Sequence, residues 1–400
     1  MNVLMTADTV GGVWVYALDL CRALAPHGVH VTLATMGEPV RPDQHAQLRA
    51  LTNVTLRESR FKLEWMPDPW DDVARAGDWL LKLERETRPD VVHLSGYAHG
   101  CLPWRAPVLV AGHSCVLSWW RAVKGEPAPP EWDRYRWAVA EGLAGADLVV
   151  APTAAMLDCL DFHYGPLAAG ARVVHNGRDA AAFAPTAVKE PFVLCAGRLW
   201  DEAKNLAALE AVAPGLPWPV YAAGECDRPA GGVVPLGRLG ERELAEIMGR
   251  AAIYALPARY EPFGLSALEA ALSGCALVLG DIPSLREVWA DAATYVPPDD
   301  ARALERALAG LVEDPALRGE MSARATARAR GYSMARAARS YLDVYHALAA
   351  RSSSASPGPP GAGAASASAG NAGDPHPNPL AAYRERGQER TRDWSAAFSR

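Results

Sequence analysis

Short apolar runs alternate with helix-like segments along most of the chain. In the first half, five runs that are apolar at nearly every position predict strands: NVLMTAD, HVTLATM, DVVHLSG, PVLVAGH and LVVAPT. The segment GVWVYALDLCRALAPHG repeats its apolar residues with a period near the ~3.6 residues of a helix and ends at a glycine, where helices commonly stop. Strands of this kind, separated by helices, predict a parallel sheet that is covered on both faces.

The alternation restarts in the second half. Between residues 191 and 298, the runs PFVLCAGR, WPVYAAGE, AAIYALPA, CALVLGD and ATYVPP predict a second set of strands. A polar stretch with several alanines and prolines, HNGRDAAAFAPTAVKEP, separates the halves and predicts a linker. Two doubly wound halves usually leave a ligand cleft outside the carboxyl ends of their strands. The predicted fold class is therefore α/β with a central cleft.

The chain closes with helices and a low-complexity tail. The first domain is predicted over 1–180 and the second over 181–331, with a final helix over 332–350. Residues 351–400 include the run SSSASPGPPGAGAASASAG, which has too few apolar residues to bury. We expect this tail to be disordered.

Composition excludes several classes of protein. Half of the 400 residues are hydrophobic, 22% are charged, and the net charge is −6, which does not indicate a nucleic-acid partner. The sequence has no uncharged apolar run of about eighteen residues and no basic, cleavable leader, so we expect a cytoplasmic location. The seven cysteines form no C-x-x-C pair, and we expect buried thiols rather than a disulfide framework or a zinc site.

The densest candidate chemistry lies in RYEPFGLSALEAALSGCALV, residues 259–278. Ser266 and Glu269 match the S-x-x-E capping box, and this structural interpretation accounts for both of them. Glu261 lies ahead of the predicted helix and is not explained by a helix start. It is therefore the stronger candidate for chemistry.

The same stretch also resembles an anion site. Gly264 would allow a ligand to approach the backbone closely, and the amides of Gly264, Leu265 and Ser266 would be free at a helix N-terminus, where phosphate binds. A carboxylate directly before Pro262 would repel a bare phosphate. Glu261 fits better if the ligand also carries hydroxyl groups, as a nucleotide sugar does.

Two further loops follow predicted strands. In AGRLWDEAKN, Arg198 and Lys204 are cations that could neutralise a diphosphate; a solvated loop with two surface cations is the alternative. Gly11 and Gly12 follow the first strand, where dinucleotide folds place a phosphate turn. They do not form G-x-G-x-x-G, so a nicotinamide site is not indicated.

One histidine and a group of tryptophans remain. His113 directly follows a predicted strand at the presumed edge of the cleft; such a histidine is most often structural, but its position makes it a candidate. Eight of the thirteen tryptophans fall between residues 65 and 137. Each is more readily explained as core than as a sugar platform.

Together, these features resemble glycosyltransferase family 4, a family of retaining enzymes with the GT-B fold. The resemblance covers residues 1–349 and is carried by EPFGLSALE, AGRLWDEAKN, HNGRD, AAGE at 222–225 and the first-loop GGV. Two departures stand out. The spacing from Arg198 to Lys204 is one residue longer than the family's commoner one, and the first loop TVGG lacks the lysine of glycogen and starch synthases, which argues against that related family.

The resemblance implies roles for individual residues. Glu261 would face the donor sugar and His113 would stand near the transferred sugar, so these two are the catalytic candidates. Glu269 would bind the ribose hydroxyls of the nucleotide. The helix over 332–350 would cross back to the first domain.

The resemblance also implies a donor-binding set. Arg198 and Lys204 would hold the diphosphate, and Arg238 and Leu239 in LGRLG would flank the base. The complete donor-binding set comprises Gly11, Gly12, Arg198, Lys204, Arg238, Leu239, Phe263, Gly264, Leu265, Ser266 and Glu269.

The implied activity is that of a retaining, metal-independent hexosyltransferase in polysaccharide or glycoconjugate synthesis. We expect no cofactor other than the nucleotide-sugar donor. The expected acceptor is a saccharide or a lipid-linked molecule. Peripheral contact with the membrane is compatible with the family. A nucleotide-sugar epimerase on the same scaffold and a non-catalytic sugar-nucleotide-binding protein are the alternatives. The intact set of Glu261, Arg198, Lys204 and Glu269 argues against the second of these.

Overall fold

The computed structural model describes residues 1–167, 170–225 and 231–354. Predicted disorder over 351–400 lies outside the described residues, apart from the first four of that range, which continue the last helix. Two parallel sheets are present, each flanked by helices, so the predicted α/β class with two doubly wound halves is confirmed.

The first sheet contains seven strands in the order β3-β2-β1-β4-β5-β6-β7. Its strands are β1 (Asn2–Asp8), β2 (His30–Met36), β3 (Val54–Glu58), β4 (Val91–Leu94), β5 (Val108–Ala111), β6 (Leu148–Ala151) and β7 (Ala171–Val173). Its helices are α1 (Gly12–Leu24), α2 (Pro42–Arg49), α3 (Trp70–Thr87), α4 (Val116–Lys124), α5 (Asp133–Gly145) and α6 (Ala154–Tyr164).

The second sheet contains six strands in the order β10-β9-β8-β11-β12-β13. Its strands are β8 (Glu190–Ala196), β9 (Val220–Ala223), β10 (Val233–Gly237), β11 (Ala251–Leu256), β12 (Ala276–Gly280) and β13 (Thr294–Val296). The helices that follow the linker are α7 (Leu206–Val212), α8 (Glu241–Arg250), α9 (Leu265–Leu272), α10 (Pro283–Trp289), α11 (Ala301–Glu313), α12 (Pro315–Ala329) and α13 (Met334–Ser354).

Both faces of each sheet are buried, as the continuous apolar strands predict. In β1, Val3 and Met5 pack into the core on the side of α1, whereas Leu4 between them packs into the core on the side of α3. This alternation follows from the two-residue period of a strand. It explains why nearly every position of β1 is apolar.

Three strands were not predicted from the sequence, namely β3, β7 and β10. Each is at the edge of its sheet, β7 is exposed throughout, and β10 contains Pro235. Edge strands of this kind carry charged or proline residues because one side of the strand faces solvent. They therefore lack the apolar runs by which the other strands are found.

The strand orders fix where a site can form. In the first sheet the chain reverses its direction of winding between β1 and β4, and in the second between β8 and β11. Ligands of doubly wound sheets bind outside the carboxyl ends of the strands at such switch points. The loops after β1, β8 and β11 are the ones that carry Gly11, Arg198 and Glu261.

The last helix packs on the first sheet, although it follows the second sheet in the chain. Its buried residues Tyr341, Tyr345 and Leu348 share one core with residues of β1 and α1. The hydroxyl of Tyr345 lies 2.7 Å from Nδ1 of His93 in β4, and His93 is fully buried. This helix therefore attaches to the first domain through both apolar packing and a buried polar contact.

Replacement of Tyr345 by Phe tests that contact. The change keeps the ring but leaves the buried imidazole nitrogen without its partner, and we expect the free energy of unfolding to fall by about 1–3 kcal/mol. The measurement is urea unfolding followed by circular dichroism. Tyr221→Phe is the control, because Tyr221 is a half-buried tyrosine for which the described residues show no hydrogen bond of the hydroxyl. Equal stability of Y345F and wild type would contradict this account.

Candidate active site

Arg198 and Gly11 bring the two domains together at the cleft. A Cβ built on Gly11 would lie 3.5 Å from Cδ and 3.6 Å from Nη1 of Arg198, so the Arg198 side chain lies beside the glycine. Gly11 has a φ of 81° and precedes the first turn of α1, a conformation that side-chain-bearing residues rarely adopt. The structure thus places a cation of the second domain against the glycine loop of the first.

Lys204 and Glu261 form the best-defined pair of the site. Nζ of Lys204 lies 2.6 Å from Oε2 of Glu261, and each side chain is only 13% exposed. Lys204 ends a short 3-10 turn, Glu202–Lys204, and this turn carries its side chain to Glu261 despite the longer spacing from Arg198. A mostly buried ion pair of this kind is held firmly, because loss of either partner leaves an uncompensated charge.

The other atoms of Glu261 are also bound. Its Oε1 accepts a hydrogen bond of 3.0 Å from the backbone N–H of Gly264, and its carbonyl oxygen accepts one of 2.5 Å from the Ser284 hydroxyl. The carboxylate is therefore fixed at the entrance of α9. The prediction of a free amide at Gly264 is wrong, because Glu261 occupies it.

The capping box predicted for Ser266 and Glu269 is also wrong. Helix α9 begins at Leu265 with Gly264 as its N-cap, in the left-handed conformation with a φ of 90°, so Ser266 already lies inside the helix. The Ser266 hydroxyl accepts a hydrogen bond of 2.7 Å from the Tyr254 hydroxyl. Glu269 contacts Arg178, and no side chain of the described residues caps the start of α9.

Arg178 lies in the HNGRD motif, but no individual role was predicted for it from the sequence. It lies in the linker, is 4% exposed, and its Nε lies 2.9 Å from Oε1 of Glu269. The N–H direction is not aligned with that oxygen, so the contact is an ion pair rather than an aligned hydrogen bond. Burial raises the pKa of Glu269 to about 7, and the charge of Arg178 opposes that rise.

His113 lies at the cleft edge after β5 and stays neutral near pH 7. Burial lowers the pKa of this half-buried side chain to about 4. Its ring packs edge-on against Tyr16 with the centroids 4.4 Å apart, and its Nε2 is buried without a hydrogen-bond partner in the described residues. His93 lies behind, with its Nε2 3.4 Å from the Tyr16 hydroxyl.

Asp8 adds a carboxylate that the sequence analysis did not consider. It is the last residue of β1, and its Oδ1 accepts a hydrogen bond of 2.9 Å from the backbone N–H of Val10. Burial raises the pKa of Asp8 to about 6, while the nearby Arg198 opposes the rise. Its position at a strand end was available from the sequence, but its burial was not.

The remaining donor-binding candidates are less central. Arg238 is half exposed and lies 3.7 Å from Glu225 and 3.8 Å from Asp43, at the rim where the two domains meet. Leu239 is partly buried against the core of the second domain. Phe263 is 2% exposed and also packs into that core, so its side chain does not face the cleft.

Direct contacts also join the domains at α4. The Trp119 indole donates a hydrogen bond of 2.9 Å to Asp201, and Lys124 pairs with Glu202 at 2.8 Å. The Tyr260 hydroxyl accepts a hydrogen bond of 3.0 Å from the backbone N–H of Cys115. These contacts hold α4 of the first domain against the loops that carry Lys204 and Glu261.

The described ranges contain neither a cluster of metal ligands nor a membrane-spanning helix. There, no group of three or more His, Cys, Asp or Glu side chains converges in a way that could hold a metal ion. Within the same part of the chain, no helix has the length and apolar character needed to cross a bilayer.

The buried His93 makes stability depend on pH, and His93→Gln tests this. Burial lowers the pKa of His93 to about 3, so between that value and the unfolded pKa of about 6.5 the unfolded chain binds a proton that the native protein does not. The contribution of His93 to the stability of wild type therefore falls as pH drops below about 6.5, whereas a glutamine does not titrate. We expect the difference in unfolding free energy between wild type and H93Q to shrink by about 2 kcal/mol from pH 7 to pH 5.

The measurement is urea unfolding of both proteins at several pH values. His346→Gln, on an exposed position of α13, is the matched control and should follow wild type at every pH. A difference between H93Q and wild type that stays constant with pH would contradict the lowered pKa.

Comparison with known proteins identifies two matching regions. Residues 10–182 match the family model described as Glycosyltransferase Family 4, and residues 230–330 match the model described as Glycosyl transferases group 1. A protein named glycogen synthase from Mycobacterium tuberculosis is 31% identical over 278 residues, which cover 61% of this chain and 66% of that protein. The match thus spans slightly less than two thirds of that relative. This similarity does not support the expectation, based on the lysine that is absent from the first loop TVGG, that the chain differs from glycogen synthases.

Solved structures share the fold. Sucrose-phosphate synthase from Thermosynechococcus elongatus aligns with a TM-score of 0.72 and 19% identity, over 88% of this chain and 100% of the other. Anabaena HepE in complex with UDP-glucose aligns with a TM-score of 0.68 and 15% identity, over 87% and 100%. These likenesses confirm the predicted GT-B fold. One family model matches in each half of the chain, and these matches together with the shared fold support a glycosyltransferase of the family 4 type.

Proposed function

We propose that the protein transfers a hexose from a nucleoside diphosphate sugar to an acceptor hydroxyl, with retention of the anomeric configuration. The observation that carries this proposal is the fixed Glu261–Lys204 pair at the entrance of α9, with Arg198 opposite Gly11 across the same cleft. A carboxylate and two cations at one cleft suit a ligand that has both hydroxyl groups and a diphosphate.

The main requirement of this reaction is to stabilise the negative charge that develops on the leaving group. As the bond to the anomeric carbon breaks, negative charge grows on the departing diphosphate. Arg198 and Lys204 supply positive charge there, and the N-terminus of α9 adds the partial charge of its backbone N–H groups. We propose that these groups do the work without a metal ion, since they are already in place before the charge develops.

Glu261 acts on the other side of the breaking bond. The sugar ring gains positive charge in the transition state, and a carboxylate held by Lys204 and the Gly264 N–H can face it without rearrangement. Its oxygens also accept hydrogen bonds from sugar hydroxyls. Neutral His113, on the N-terminal side of the cleft, contacts the transferred sugar. Glu269 accepts hydrogen bonds from the ribose hydroxyls of the nucleotide.

The relatives suggest which donor to test first. HepE was solved with UDP-glucose, and the Mycobacterium tuberculosis relative is named glycogen synthase. We therefore propose a nucleoside diphosphate glucose as donor and a glycan hydroxyl as acceptor, and the first assays should use UDP-glucose and ADP-glucose with a soluble glucan. Product analysis with and without the glucan distinguishes transfer from an epimerase, which would change the free nucleotide sugar when no acceptor is present.

Glu261→Ala tests the role of the carboxylate. We expect turnover to fall at least ~100-fold, the usual effect of removing a key electrostatic group, while nucleotide binding stays nearly unchanged. Initial rates and calorimetric binding of the nucleoside diphosphate provide the two readouts. Glu246→Ala removes an exposed carboxylate on α8 and serves as the control. Full activity of E261A would contradict the assignment.

Arg198→Ala tests the contact with the diphosphate. Because a charge-assisted hydrogen bond is lost, we expect the dissociation constant for the nucleoside diphosphate to rise about 10- to 100-fold. Isothermal titration calorimetry measures it. Arg242→Ala, on a highly exposed position of α8, is the matched control. Equal affinities of R198A and wild type would show that Arg198 does not hold the phosphates.

A further inference from the structure

Arg178 is a single buried cation that contacts three acidic side chains from three different elements. Its Nη1 binds Asp19 of α1, in the first domain. Its Nη2 donates a hydrogen bond of 2.9 Å to Glu241, in the first turn of α8, and its Nε lies 2.9 Å from Glu269 of α9. One guanidinium on the linker therefore joins both domains.

The position of Arg178 is fixed by its backbone as well. Its N–H donates to the carbonyl oxygen of Tyr332 at 3.1 Å, and its own carbonyl oxygen accepts from the N–H of Met334 at 3.3 Å. A Cβ on the preceding Gly177 would lie 2.5 Å from the backbone of Ser333, so only glycine allows this approach. The linker at this point is clamped to the chain that leads into α13, and the predicted polar linker is thus anchored near its start.

Charge balance shows why this arginine matters to Glu269. Asp19 also pairs with Arg22 at 2.6 Å, so one of the three carboxylates has a second cation. For Glu269, the described residues show an ion pair with Arg178 and with no other cation. Burial, together with the neighbouring Asp19 and Glu241, favours the protonated form of Glu269 and raises its pKa. Only the guanidinium acts in the opposite direction.

The contact between Arg178 and Glu241 also sets the position of the loop that holds Arg238 and Leu239, which we call the base-flanking loop. Glu241 begins α8, directly after the loop that holds Arg238 and Leu239. Because a guanidinium is planar and its donors have fixed directions, contacts to Glu241 and Glu269 restrain the two carboxylates relative to each other. The base-flanking loop and the ribose carboxylate are therefore oriented by one side chain.

We infer that Arg178 is a positioning residue: it holds Glu269 as an oriented carboxylate for the ribose hydroxyls and links that carboxylate to the first domain through Asp19. The inference rests on the proposed function, in which Glu269 binds ribose. Arg178 itself touches no part of the donor in this scheme. It acts on nucleotide selectivity, because a carboxylate that is misplaced or protonated no longer discriminates a ribose from a sugar without hydroxyls.

The distinguishing readout is the preference for ribose hydroxyls. Calorimetry on the full chain compares UDP and ADP with their 2′,3′-dideoxy forms. We expect wild type to bind the better of the two ribonucleotides at least about tenfold more tightly than its dideoxy form, since buried hydrogen-bonding groups reject a ligand that leaves them unpaired. In Arg178→Gln we expect that ratio to fall below about threefold, with affinity for the dideoxy form nearly unchanged, because only hydroxyl-dependent binding is lost.

Two variants guard against misfolding. Arg178→Lys keeps the charge and should recover part of the ratio, and Glu241→Gln alters a half-exposed partner and should lower the ratio by a smaller factor. Arg286→Gln, which breaks an exposed ion pair with Asp281, is the matched control and should leave the ratio unchanged. Thermal unfolding of each variant reports its stability separately.

A double-variant comparison tests the link to the first domain. Asp19→Asn should weaken ribonucleotide binding, and Asp19→Asn combined with Arg178→Gln should bind no more weakly than Arg178→Gln alone, because both act through one guanidinium. Independent, multiplying effects of the two changes would overturn the link. So would equal weakening of ribo- and dideoxynucleotides in R178Q, which is the signature of a merely structural role.

The failure of the inference and that of the proposed function are distinguishable. If wild type binds the ribo- and dideoxynucleotides equally well, the inference is overturned while a nucleotide site remains. If wild type binds neither UDP nor ADP, the proposed donor class is overturned, and the inference with it.

Discussion

Carboxylates that are removed from water at a domain boundary must have a cation beside them, and this requirement organises the whole cleft. Glu261 is held by Lys204 and Glu269 by Arg178, each at less than 3 Å. A buried charge without a partner would cost several kcal/mol, so neither carboxylate can be repositioned without its cation. Glu261 precedes α9 and Glu269 lies within it, so this short helix joins the two pairs.

The parallel topology explains why these pairs meet at one cleft. Loops that leave the carboxyl ends of β8 and β11 carry Arg198 and Glu261 to the same edge of the second sheet. The loop after β1 faces them from the first sheet, where Gly11 lies beside Arg198. The first domain adds His113, which is kept neutral by burial and supported from behind by Tyr16 and His93.

Helix α13, the last helix of the described chain, contacts the His93 imidazole that lies behind His113. Its Tyr345 contacts His93, and Tyr341 stacks on the same imidazole with the ring centroids 5.2 Å apart. The N-terminal half of the cleft therefore depends on a helix that follows the second domain in sequence. The segment before α13 also clamps Arg178, so the linker, the last helix and Glu269 form one connected structure.

The sequence by itself determined the α/β class, the central strands, the helices and the candidate loops, because apolar periodicity and glycine positions are local signals. It also singled out Glu261, Lys204 and Arg198 as residues worth testing. Only the tertiary structure decided which charges meet: the three carboxylates around Arg178, the approach of Arg198 to Asp8 and the pairing of Glu269 with Arg178 depend on contacts between residues far apart in the chain. A motif such as S-x-x-E is compatible with a cap, but the left-handed Gly264 and the distant Arg178 determine what Ser266 and Glu269 do. Pairing of buried charge is a property of three-dimensional proximity, and no local pattern encodes it.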